Sequence, residues 1–213
     1  MRLPLEVRKG WAYLQEFASN PLRISAIART CDTVLERVCD LLPDNIERMV
    51  DVGAGTGDLG RMLLQRGQIA RMGKIIAVEP SLRLARLIPE VVKDDRVTVI
   101  QKYLSECRAE IAQELGRAEV VTFSVPFSTF SEENQKIFLN DVNGILDPHG
   151  VCVGFIYADI AEPLQRRFSH VEVTKVKGQK IPPFSYRVYQ AWPSLNGDSA
   201  KNGSSNGEKN GEP

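Results

Sequence analysis

The 213-residue chain has 43% apolar residues, enough for one good-sized core and too few for two independent domains, and its 27 Lys and Arg balance 27 Asp and Glu. Zero net charge excludes a chain-wide field that would draw the protein to nucleic acid, so none is expected as a partner. The four cysteines (Cys31, Cys39, Cys107, Cys152) form no CxxC pair and only His149 and His170 could join them, which predicts reduced thiols, no metal site and a cytoplasmic chain; there is no secretory h-region, and no apolar run reaches the roughly 18 residues of a membrane span.

The first predicted element is an amphipathic helix. On a 100° wheel Leu3, Val7, Trp11, Leu14, Phe17 and Ala18 share one face, while Arg8, Lys9, Gln15 and Glu16 lie off it. Residues 1–30 hold five basic side chains (Arg2, Arg8, Lys9, Arg23, Arg29) against Glu6 and Glu16, so five minus two leaves a local +3. Two uses are open: a lid on the domain, or a lid that also lies on an anionic membrane surface with Trp11 at headgroup depth. Tyr13 falls on the far side of the wheel. A second helix is expected over Ser25–Leu42, leading through Pro43–Asn45 into the first strand.

That strand, Met49–Val52, runs into Val50-Asp51-Val52-Gly53-Ala54-Gly55-Thr56-Gly57 and a helix to Gln65. Glycines at alternate positions let the backbone approach a ligand closer than a Cβ permits, with helix amides aimed at it. Gly55-Thr56-Gly57-Asp58-Leu59-Gly60 is a literal G-x-G-x-x-G, but the strand ends at Asp51-Val52-Gly53, which puts that match too late for a dinucleotide fingerprint. The next strand, Ile75–Val78, ends in Glu79-Pro80, where a carboxylate can accept hydrogen bonds from both hydroxyls of a ribose.

Helix-like spacing over Ser81–Val92, Leu104–Leu115 and Ser131–Leu146 alternates with strands at Val97–Ile100, Val120–Phe123 and Val151–Tyr157. Such alternation implies a parallel sheet covered on both faces. After the third strand stands Gln101-Lys102-Tyr103, after the fourth Ser124-Val125-Pro126-Phe127-Ser128, and before the fifth a turn, Leu146-Asp147-Pro148-His149-Gly150. Val171–Val176 and Tyr186–Trp192 are joined by too short a link for a crossover helix and should pair antiparallel. From Ser194 the chain is Gly, Ser, Asn, Lys and Glu, a predicted disordered tail. The expected division is 1–44 helical lid or membrane-contact segment, 45–192 catalytic domain and 193–213 tail.

The register Asp51-Val52-Gly53-Ala54-Gly55-Thr56-Gly57, with Glu79 after the second strand and a closing antiparallel hairpin, resembles the class I S-adenosylmethionine-dependent methyltransferases. That resemblance implies a Rossmann-like α/β fold with a mainly parallel seven-stranded sheet. It also implies S-adenosyl-L-methionine as cofactor, held by Asp51, Gly53, Ala54, Gly55, Thr56, Gly57, Glu79, Pro80 and Tyr103. Many of these enzymes place an acid after strand three for the adenine amine; here backbone groups, Gln101 or Tyr103 must serve.

Ser124-Val125-Pro126-Phe127 is similar to the acceptor motif of amine methyltransferases, with Ser124 in place of the usual Asn or Asp. Phe17-Ala18-Ser19-Asn20-Pro21-Leu22-Arg23-Ile24-Ser25-Ala26-Ile27-Ala28 and Pro182-Pro183-Phe184-Ser185-Tyr186-Arg187 resemble segments of bacterial phospholipid and ornithine-lipid N-methyltransferases. Arg29-Thr30-Cys31 departs from the Pro-Ser-Ser usual there. The resemblance implies methylation of a lipid amine at the inner face of a membrane. Ser124, Pro126 and Phe127 would form the catalytic site, Phe127 and Tyr157 its aromatic walls, and Tyr103 and Tyr186 are base candidates by chemistry alone. A small-molecule or rRNA-adenine methyltransferase and a binding protein without catalysis are the alternatives.

Overall fold

The computed structural model describes residues 3–19, 30–157, 159–180 and 183–194, with backbone alone for 177–180 and 183–185. Most of the segment from Phe17 to Ala28, Pro182, and the expected tail beyond Ser194 lie outside the described residues.

Seven strands form one sheet: β1 (Ile46–Val52), β2 (Ile69–Val78), β3 (Val97–Ile100), β4 (Ala118–Phe123), β5 (Leu146–Ile156), β6 (His170–Lys180) and β7 (Pro183–Trp192), in the order β3-β2-β1-β4-β5-β7-β6. The first five are parallel, and β7 runs antiparallel to both β5 and β6. This is the expected sheet.

Its helices are α1 (Leu5–Ser19), α2 (Asp32–Leu41), α3 (Asp58–Gln65), α4 (Leu82–Ala85), α5 (Ile88–Val92), α6 (Leu104–Leu115), α7 (Glu132–Ile145) and α8 (Ala161–Gln165). Alternate residues along each strand feed opposite faces, so both must be apolar. Val50, Ile76 and Val121 pack with Ile111, Leu139 and Val142 on one side, and Met49, Ile75 and Val120 pack with Val38, Leu59 and Leu63 on the other.

Three local expectations change. Ser81–Val92 is broken into α4 and α5, because Pro89 lacks the N–H and its ring would strike the carbonyl four residues back in a continuous helix. The Leu146–Gly150 turn is part of β5: Leu146 already pairs with Ala118, and a register shift precedes the pairing of Val151 with Val120. The helix after the N-terminal segment begins at Asp32 with Cys31 as its cap, and the earlier part of the expected Ser25–Leu42 run, through Arg29, is outside the described residues.

The first helix forms as expected but docks by the other side. Lys9 and Ala12 are buried, whereas Leu3, Val7, Trp11 and Leu14 are 43% to 56% exposed. Leu5, Ala12 and Tyr13 pack on Leu84 and Leu87 around α4, and three ion pairs fasten the helix: Lys9 to Asp58 at 2.6 Å, Arg8 to Glu90 at 2.7 Å and Arg83 to Glu16 at 3.5 Å.

Candidate cofactor and acceptor site

The strand order reverses between β1 and β4, and at such a point the carboxyl ends of the strands leave a crevice. A cavity of about 500 Å³ opens there, walled by the ends of β1, β2 and β4, the loop after β3, one face of α7, and Tyr13 from α1.

The glycine-rich turn earns its composition twice. Gly53, at φ +73°, lies so close to the β4 loop that a Cβ would sit 2.6 Å from the Ser124 carbonyl oxygen. Gly55, at φ +59°, would put a Cβ 2.2 Å from the Tyr13 hydroxyl. Asp51, Gly53, Ala54 and Gly55 line the cavity, whereas Thr56 and Gly57 do not. The Thr56 hydroxyl donates to Asp58 at 2.6 Å, and Gly57 turns the chain into α3 against Ile88 and Val92.

Both carboxylates singled out in the sequence meet in this crevice. Asp51 is buried and accepts from the Thr122 hydroxyl at 2.7 Å; burial pushes its pKa up to about 6 despite that bond. Glu79 accepts from the Gly55 amide at 2.8 Å and the Ser81 amide at 2.9 Å. Burial pushes Glu79 up to about 7, the two amides pull it down, and the Glu16 and Asp51 charges add to the rise. Pro80 lines the cavity, as does Tyr103, which is 45% exposed at the start of α6. Gln101 is exposed, off the cavity, and donates to the Pro80 carbonyl at 3.3 Å.

On the β4 side Ser124, Val125 and Pro126 reach the cavity. Phe127 does not: it is 1% exposed and lies in the core, its ring 6.1 Å from Phe138. Tyr157 is also off the wall, stacked on Tyr186 with ring centroids 4.0 Å apart and the two phenols hydrogen-bonded. The aromatic walls are instead Phe130 and Phe138. Asn134, Ile137, Phe138 and Asp141 present one face of α7 to the cavity, and Asp141 pairs with Arg108 at 3.0 Å. Their i, i+3, i+4, i+7 spacing was legible as a helix face, but nothing local said that this face borders a cavity. Among the described residues, no group of three His, Cys, Asp or Glu side chains could hold a metal ion.

The sequence matches no protein-family model and no curated protein. The structure is similar to a precorrin-6y C5,15-methyltransferase of Geobacter metallireducens, at 18% identity and TM-score 0.58 over 78% of this chain and 94% of that one. It is also similar to a TehB-like S-adenosylmethionine-dependent methyltransferase of Corynebacterium glutamicum (13%, TM-score 0.58, 87% and 98%). This is the class I methyltransferase fold. A third structure with the methyltransferase fold, Aeropyrum pernix fibrillarin, holds natively bound S-adenosyl-L-methionine (16%, TM-score 0.53, 75% and 76%).

The residues present suit that cofactor. Gly53, Ala54 and Gly55 line the cavity with little or no side chain, and a buried carboxylate stands at the end of β2. None of the three matched proteins is named for a lipid, so the lipid resemblance rests on the sequence motifs alone.

Proposed function

We propose that the chain is an S-adenosylmethionine-dependent N-methyltransferase acting on the amine headgroup of a membrane lipid, of the phosphatidylethanolamine or ornithine-lipid kind. The observation that carries the methyl-transfer reading is the convergence of Gly53, Gly55, Glu79 and the Ser124 loop on one cavity at the reversal of strand order. Asp51, Gly53, Ala54 and Gly55 form the floor, Glu79 accepts from the ribose hydroxyls, and Pro80 and Tyr103 flank the base. Thr56 and Gly57 shape the turn without reaching the ligand.

When bound, S-adenosylmethionine supplies an electrophilic methyl group on a sulfonium. The protein's part is orientation and exclusion of water. Ser124 and Pro126 line the acceptor nitrogen, Phe130 and Phe138 keep the wall apolar, and Phe127 supports that wall from behind. A primary amine can lose its proton to water before attack, so no general base is required.

For the acceptor, the support is the row Leu3, Val7, Trp11 and Leu14, exposed on the helix that carries Tyr13 into the cavity. Apolar side chains on one outward face suit a peripheral position on the inner face of a membrane. Charge contributes less than composition implies, since Lys9 is buried on Asp58 and Arg8 is paired with Glu90; Arg2, Arg23 and Arg29 lie outside the described residues. Among the described residues no helix is long and apolar enough to cross a membrane.

A second reading, methylation of a soluble small molecule, draws support from the aromatic-walled cavity and from the likeness to an enzyme named for a precorrin. One assay separates them: transfer of labelled methyl from S-adenosylmethionine into vesicles containing an amine headgroup, beside a Glu79→Ala variant. Label in the lipid that is lost in the variant supports the lipid reading. Cofactor binding without lipid labelling moves the acceptor to a soluble compound, and absence of cofactor binding leaves a scaffold without catalysis.

A further inference from the structure

We propose that Tyr13 of α1 contacts the cofactor, its hydroxyl meeting the amino-acid end of S-adenosylmethionine; the assignment rests on the cofactor reading above. The side chains around Glu79 in the cavity wall fall into two chemical sets. Pro80, Tyr103 and Leu104 are largely apolar and suit the base. Asp51, Gly53, Gly55, Asp58 and Tyr13 are a polar set and suit a charged ammonium and carboxylate.

Tyr13 joins that polar set from α1, outside the strand-and-helix repeat. Its hydroxyl occupies the space over Gly55, and the glycine there is required as much by this phenol as by any ligand. Hydrogen bonds with Thr56 orient the hydroxyl; burial raises its pKa, those bonds counter the rise, and the charges of Asp58 and Glu79 reinforce it. A phenol that keeps its proton can donate to a carboxylate where a third anion would be repelled. The ion pairs of Lys9, Arg8 and Glu16 flank Tyr13 on both sides along α1 and fix its approach.

The test compares S-adenosylhomocysteine with 5′-methylthioadenosine, which lacks the amino-acid end, by calorimetric titration of the wild type and Tyr13→Phe. The phenylalanine ring preserves the packing on Leu84 and Leu87. A hydrogen bond to a charged group is worth about one factor of ten or more in affinity. The variant is therefore expected to lose about ten-fold for S-adenosylhomocysteine, with 5′-methylthioadenosine bound equally by both proteins. Equal S-adenosylhomocysteine affinity in the two proteins, or a parallel loss for both ligands, overturns the Tyr13 assignment alone. A wild type that binds neither ligand overturns the cofactor reading and this assignment with it.

Discussion

Replacing Lys9 by methionine tests whether α1 is an integral wall of the site. Lys9 Nζ lies 2.6 Å from Asp58 Oδ1, and the two side chains are 2% and 6% exposed. Methionine retains most of the lysine stem, so the change removes charge while keeping volume. Among its remaining partners Asp58 keeps the Thr56 hydroxyl and Arg61 at 3.7 Å. Removing one partner of a buried pair costs about 3–5 kcal/mol. The expected loss is about 3 kcal/mol in urea unfolding followed by circular dichroism. A Lys9→Met, Asp58→Leu double variant should recover most of it, because an apolar pair can replace a buried ion pair at little cost. A single-variant loss below about 1 kcal/mol, with α1 amides still protected from hydrogen exchange, would refute the buried ionic anchor.

Two further predictions concern the carboxylate and the glycine of the same crevice. With Glu79 lifted to about 7, its ionised fraction is about a tenth at pH 6 and about nine tenths at pH 8, so S-adenosylhomocysteine affinity should fall about ten-fold between pH 8 and 6. Glu79→Gln should flatten that profile, and a wild-type profile already flat would sink the ribose role. The folded protein holds the Glu79 proton to higher pH than the unfolded chain does, so this group's effect is to lower stability as pH rises from about 4.5 to about 7; Glu79→Gln should reduce that slope in thermal unfolding. Gly55→Ala should destabilise by about 2 kcal/mol or more through the positive φ and the collision with Tyr13. Adding Tyr13→Phe should restore part of that loss, because the nearest remaining ring atom is 3.4 Å away; no recovery would mean that the collision is relieved elsewhere.

Most of the sheet was legible because the parallel strands β1, β2 and β4 are buried on both faces towards their carboxyl ends and read there as apolar runs. The short link between β6 and β7 left no topology but a hairpin. Asp51, Gly53, Gly55 and Glu79 were legible for a related reason: they stand at strand ends, where position in the repeat implies position in the crevice. The acceptor wall was harder. Phe127 follows Pro126 directly, but the single turn of 3-10 helix at Phe127–Thr129 turns its ring into the core and leaves Phe130 to face the cavity. Tyr157 was misplaced by one strand end, since the partner that holds it, Tyr186, comes from β7.

The orientation of α1 shows why amphipathicity alone does not choose a docking face. A wheel ranks side chains by their affinity for water, yet what α1 meets is a crevice holding Asp58 and Glu79 beside the apolar Leu84 and Leu87. Buried carboxylates need cations and hydrogen-bond donors more than they need methyl groups, so Lys9 and Tyr13 turn inward and Val7, Trp11 and Leu14 turn out. The consequence is an arrangement in which one 15-residue helix presents Tyr13 to the cavity and Trp11 to the exterior. A helix with side chains is about 10 Å across, so under the lipid reading the membrane surface and the cofactor's amino-acid end are separated by little more than α1 itself.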